Sequence, residues 1–100
     1  MTFEFLTPAA VEYLAAYDWY DERSARAAER FHEVVNAAVQ RAMERPTSAG
    51  FLIGKRVRKI VLKPFDYGLL YFAHNHVIYV VAVAHNKRRP DYWRDRLTWS

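Results

Sequence analysis

The run 77-VIYVVAVA-84 constrains this chain more than any other stretch. It reads as the most buried strand of the protein. An apolar residue at every position means that both faces of the strand need cover, where a half-exposed strand would alternate. The chain then passes at once into 84-AHNKRRPDYWRDR-96, a histidine, three basic residues and Pro-Asp-Tyr-Trp. That segment either caps the last strand of a small domain or aims chemistry or a binding surface outward.

The elements around the run set what can cover it. Residues 56–63 (RVRKIVLK) and 67–73 (YGLLYFA) read as two further strands. The turns Pro64-Phe65-Asp66 and His74-Asn75-His76 are short enough to make all three antiparallel neighbours. The half-polar 56–63 belongs towards an edge. Phe3 to Leu6 reads as a short strand, with Thr7 as helix N-cap and Pro8 as first helical residue. A helix is expected from Pro8 to about Asp21. It is apolar on two sides, with Val11, Leu14, Ala15 and Trp19 opposite Tyr13, Ala16, Tyr17 and Tyr20. Ser24 caps a second helix whose Phe31, Val34, Val35, Ala38, Val39 and Ala42 follow helical spacing. It ends at Arg45, before Pro46. Residues 46–54 (PTSAGFLIG) read as a loop. The fold class is therefore α+β in the order β-α-α-β-β-β, an antiparallel helical hairpin on one face of a small, mainly antiparallel sheet. Cover for the other face must come from the C-terminal segment, a second copy or another protein.

One hundred residues form a single domain, 1–100, able to bury a core without staples. There is no cysteine, no stretch long enough to span a membrane and no signal-like N-terminus, so a soluble cytoplasmic protein is expected. Charge is divided unevenly. Residues 1–50 carry five Arg or Lys against eight Asp or Glu, and residues 51–100 carry ten against three. The second half is thus a candidate surface for phosphate or an acidic protein, unless its basic edges serve only against aggregation. Phosphate-loop, nucleophile-elbow and zinc-helix motifs are absent. His74 and His76 have no third ligand nearby, so no metal and no cofactor is expected.

The ordered pieces of the chain resemble the RelE/ParE superfamily of toxins from bacterial type II toxin–antitoxin modules. They are Trp19-Tyr20, Ala28-Glu29-Arg30-Phe31, Pro46, Val57-Arg58, Pro64-Phe65-Asp66-Tyr67 with Tyr71, and Ala82-Val83-Ala84-His85 followed by Arg88 or Arg89, Pro90, Tyr92, Trp93 and Arg96. The resemblance implies a cognate antitoxin with a DNA-binding domain, often ribbon-helix-helix, and a tail packed on the helical hairpin and sheet. It also implies one of two targets. RelE-like members cut mRNA on the ribosome with basic residues and a tyrosine. ParE-like members poison DNA gyrase by protein–protein contact.

The RelE-type positions are met only in part. Lys59 stands where a catalytic lysine is expected, but Val61 replaces a second one and Gly68 replaces the strand arginine. Lys87, Arg88 or Arg89 can supply the C-terminal arginine, and Trp93, with Tyr92 adjacent, falls at the late tyrosine. As a ribonuclease, the chain would work through His85, Lys59, Arg88, Arg89 and Tyr92. The missing strand arginine argues against it, because stabilising the phosphorane charge is usually the largest catalytic contribution. The expectation is therefore a ParE-like toxin. Its target contacts would be Lys87, Arg88, Arg89, Tyr92, Trp93 and Arg96, and its antitoxin contacts Tyr13, Tyr17, Tyr20, Arg58 and Lys63. Two alternatives stand beside it: a ribosome-dependent mRNA endonuclease, and a non-toxic remnant that only binds antitoxin. For His85 the plainer role is a strand-end hydrogen bond, for Tyr92 and Trp93 packing on the sheet, and for Arg94 and Arg96 pairing with Asp91 and Asp95.

Overall fold

A computed structural model describes residues 1–97. Strand β1 (Thr2–Phe5) leads into helix α1 (Thr7–Asp21) and helix α2 (Ala25–Glu44). Strands β2 (Phe51–Ile53), β3 (Val57–Val61), β4 (Tyr67–His74) and β5 (Val77–His85) follow, and a 3-10 turn spans Arg94–Leu97. The five strands form one sheet in the order β1-β5-β4-β3-β2. β5 therefore lies inside the sheet, antiparallel to β4 and parallel to β1.

Three expectations need correction. The stretch 46–54 holds a strand, since Phe51, Leu52 and Ile53 pair with Lys59, Arg58 and Val57. Three residues between two glycines are too short to show alternation, so the segment resembles a loop in sequence. The strand 56–63 is shorter, Val57–Val61. Helix α1 is preceded by Leu6 as N-cap, without a side-chain cap, and Thr7 already lies in the helix. The two apolar sides of α1 are also unequal. Ala9 and Ala16 are buried with Tyr13 and Tyr20 packed beside them, while Val11 and Leu14 stand 60% and 57% exposed. By contrast, α2 follows its periodicity: Phe31, Val35, Ala38, Val39 and Ala42 are buried, and Ser24 Oγ accepts the Ala27 amide at 3.3 Å.

The demand of the apolar strand is met on both faces. Ile78, Val80 and Val83 point to the helices, with Leu69, Tyr71 and Ile60 from neighbouring strands. Val81, Ala82 and Ala84 point the other way, with Val57, Leu70 and Phe72. The parity changes because Leu70 pairs with Ala82 but Tyr71 with Val80, leaving Val81 as the extra residue of a β-bulge. Trp93, 3% exposed, lies on this far face with Tyr92 and Leu97 packed against the same cluster. The C-terminal segment is the second cover. The β4–β5 turn is tight, with Asn75 and His76 at φ 49° and 64°, the left-handed backbone of a two-residue hairpin.

Candidate functional site

The bulged strand creates a problem that the C-terminal segment solves. Pairing of β1 with β5 ends at Phe5 opposite Val80, and the Leu6 amide donates to Val80 O at 3.0 Å. Beyond that point β5 has a free edge, and buried backbone groups there need partners. Glu12 of α1 and Arg96 provide them. The Val83 amide donates to Glu12 Oε1 at 3.1 Å, and Arg96 Nη1 donates to Val81 O at 3.0 Å. The two side chains also grip each other, Nη1 to Oε1 at 2.8 Å and Nη2 to Oε2 at 3.0 Å. Tyr92 OH completes the set by donating to Glu12 Oε2 at 2.7 Å.

This cluster is largely buried, the Arg96 and Glu12 side chains being 16% and 15% exposed. Burial pushes the Glu12 carboxyl upward, but the hydrogen bonds from Arg96, Tyr92 and the Val83 amide outweigh it and hold the group below 4.5. Burial and the bond to Glu12 push the Tyr92 phenol well above its ordinary value. The phenol thus keeps its proton and donates it in the hydrogen bond to Glu12. Two guanidinium groups lie over the Tyr92 ring, Arg88 Cζ at 3.9 Å and Arg96 Cζ at 4.9 Å from the centroid.

Several expected site residues have packing or hydrogen-bonding partners within the domain. Trp93 is buried and its Nε1 donates to Pro90 O at 2.9 Å, so it packs on the far face of the sheet. Arg96 is likewise occupied, and its partner is Glu12 rather than the adjacent aspartates. Arg94 does pair locally, with Asp91 at 3.0 Å. His85 Nδ1 accepts the Lys87 amide at 3.0 Å, the strand-end bond expected of it, while its ring meets Tyr67 edge-on. Arg58 braces the α2–β2 loop by donating from Nε to Ala49 O at 2.8 Å. Tyr13 donates to or accepts from His32 Nδ1 at 2.6 Å and stacks on Phe31. Tyr20 packs among Phe31, Phe65 and Tyr67. Tyr17 is half-buried, and Lys63 is exposed.

Two hollows flank the C-terminal arm. One, of about 470 Å³, lies between α1 and the end of the sheet, with Trp19, Tyr20, Tyr67, His85 and Arg88 in its walls. The other, of about 270 Å³, lies on the far face between the arm and β2–β3. Its lining brings together Lys59, His85, Arg88, Arg89 and Tyr92, all five residues of the ribonuclease expectation. No arginine joins them from β4, where Gly68 stands. Among the described residues no cluster of three His, Asp or Glu could hold a metal ion, and no helix is long and apolar enough to cross a membrane.

Glu12 is the member of this cluster that sequence reasoning missed. It shares the inward face of α1 with Ala9, Tyr13 and Ala16, and a lone carboxylate on a buried stripe was the available signal.

Two helices over one face of a five-stranded sheet, with a basic aromatic arm locked over the other, define a small α+β domain. The model of the ParE toxin of type II toxin–antitoxin systems (parDE) matches residues 4–90, and the chain belongs to that family. It is a ParE-type toxin. Among solved structures it is similar to the chromosomal ParDE system from P. aeruginosa, with a TM-score of 0.68 and 21% identity over 85% of this chain and 95% of that one. No curated protein sequence matches it.

Proposed function

We propose that this toxin arrests growth by binding DNA gyrase and that a cognate antitoxin neutralises it. The observation that carries the reading is the state of the ribonuclease set. Its tyrosine is locked to Glu12, its histidine nitrogen Nδ1 is occupied by the Lys87 amide, and its strand arginine is a glycine. What remains accessible is a contact surface around Lys87, Arg88 and Arg89, all exposed. The antitoxin contact belongs on the outer face of α1, where Val11, Leu14 and the half-exposed Trp19 stand apolar in water with Tyr17 beside them. Lys63 can add a rim charge. The toxin would act in the cytoplasm, where its target is.

A second reading, mRNA cleavage on the ribosome, is favoured by one observation: the five candidate residues do line one groove. Pulse-labelling of DNA and protein synthesis after induction without antitoxin separates the two. DNA synthesis falling first supports gyrase. Protein synthesis falling first, with loss of the effect in His85→Ala, supports the ribonuclease and sinks the contact reading.

A further inference from the structure

The far-face groove owes its shape to two residues with almost no side chain. Gly68 and Ala84 are register partners on adjacent strands and leave a depression beside the arm. Lys59 fills part of it. A Cβ added at Gly68 would fall 2.5 Å from Lys59 Cε and 3.3 Å from its Cγ and Cδ, so the lysine stem lies flat across the glycine. The stem is thereby packed on the sheet while the ammonium stays at the groove.

The charges around the groove are mostly positive. Lys59, Arg88, Arg89 and Arg94 face a single acid, Asp91, which Arg94 already neutralises. Among the described residues no hydrogen bond or ion pair engages the side-chain charges of Lys59 and Arg89. The floor beneath them is apolar, Leu70 and Ala84, and Phe51 stands half-exposed at the mouth. An apolar floor under a cationic rim suits a strand or helix turn carrying a carboxylate next to an apolar residue. For single-stranded nucleic acid the groove offers less stacking surface than its aromatic lining suggests: Phe51 is open, but the Tyr92 ring is covered by two guanidinium groups and Trp93 is buried.

We infer that the far-face groove is the docking site for an acidic segment of the toxin's protein target, with Lys59, laid down by Gly68, as its carboxylate anchor. This deepens the contact reading of the protein and rests on it. Lys59 thereby acquires a binding role in place of a catalytic one. Gly68 acquires a positioning role, since the three atoms nearest to a Cβ added there all belong to the lysine stem.

The test uses the full-length toxin, two fluorescent probes of equal length and backbone amide shifts. One probe is a peptide of alternating glutamate and leucine, the other a single-stranded RNA. The peptide is expected to shift the amides of Lys59, Gly68, Arg88 and Arg89 and to weaken with added salt. Lys59→Glu should weaken it by about tenfold. Gly68→Ala keeps every charge and displaces only a flexible stem, so it should preserve the fold and weaken the peptide by roughly threefold. Tighter RNA binding at the same amides overturns the inference, and so does an unchanged peptide affinity in both variants or the absence of shifts at the groove. Because the readout needs no gyrase, it stands or falls apart from the pulse-labelling result.

Discussion

Replacing Glu12 by alanine should cost this protein more stability than removing any other carboxylate. The structure gives the reason. Glu12 accepts four hydrogen bonds, from the Val83 amide, Tyr92 OH and both Arg96 nitrogens. Glu12→Ala strands the first two donors and leaves the Arg96 guanidinium, 16% exposed, with Val81 O and the Tyr92 ring but no counter-charge at that site. Hydrogen bonds to a charged group are worth about 1.5–3 kcal/mol, and unpairing a buried charge costs about 3–5 kcal/mol. These contributions overlap, and partial exposure lowers the second, so the expected loss is about 3 kcal/mol. For a domain of this length that is a fall in Tm of roughly 12–24 °C. Thermal unfolding followed by far-UV circular dichroism measures it. Tyr92→Phe, which removes one bond to the carboxylate and keeps the ring beside its guanidinium neighbours, should cost only about 1.5 kcal/mol. In the double variant Glu12→Ala with Arg96→Ala the losses should be less than additive, because the first change already breaks the pair. A Tm change in Glu12→Ala below about 4 °C would show that the cluster does not hold the arm, and the reasoning would fail.

Other expectations can be checked as simply. Because the folded Glu12 carboxyl is held below its ordinary 4.5, it contributes stability that is present above the unfolded value and lost as pH falls through the folded one. Acid titration of Tm should therefore be shallower below about pH 4.5 in Glu12→Gln than in the parent. Gly50→Ala puts a Cβ 2.1 Å from Lys59 O at φ +64° and should cost at least about 2 kcal/mol in urea unfolding. Leu14→Lys, on a side chain 57% exposed, should leave stability within about 0.5 kcal/mol and weaken antitoxin rescue of growth. Retained rescue would move the antitoxin contact off α1. His85→Ala should leave toxicity intact, since its bond to the Lys87 amide only shapes a turn.

The sequence revealed those parts of the molecule whose physics is local. The helical spacing of Phe31 to Ala42 gave α2 with its buried face, and the unbroken apolar run 77–84 required two covers, which α1–α2 and the Tyr92-Trp93 segment provide. What it hid was long-range. Phe51–Ile53 becomes a strand only because β3 offers an edge, and the parallel seat of β1 beside β5 has no signature in either strand. The bulge at Val81 reverses which residues face the helices, and an all-apolar strand carries no alternation in which a reversal could show. The partner of Arg96 lies 84 positions away, whereas Arg94 finds the local aspartate that sequence suggested. For the candidate site the pattern is the same. The basic arm could be read directly, but whether Tyr92 is free or locked depends on Glu12, and whether Lys59 reaches the groove depends on Gly68.

A supercoiling assay with purified DNA gyrase and the full-length toxin decides the account. It predicts dose-dependent loss of supercoiling, relieved by the cognate antitoxin and weakened in the double variant Arg88→Ala, Arg89→Ala. Unimpaired gyrase at every dose, together with cleavage of mRNA on translating ribosomes, would contradict it.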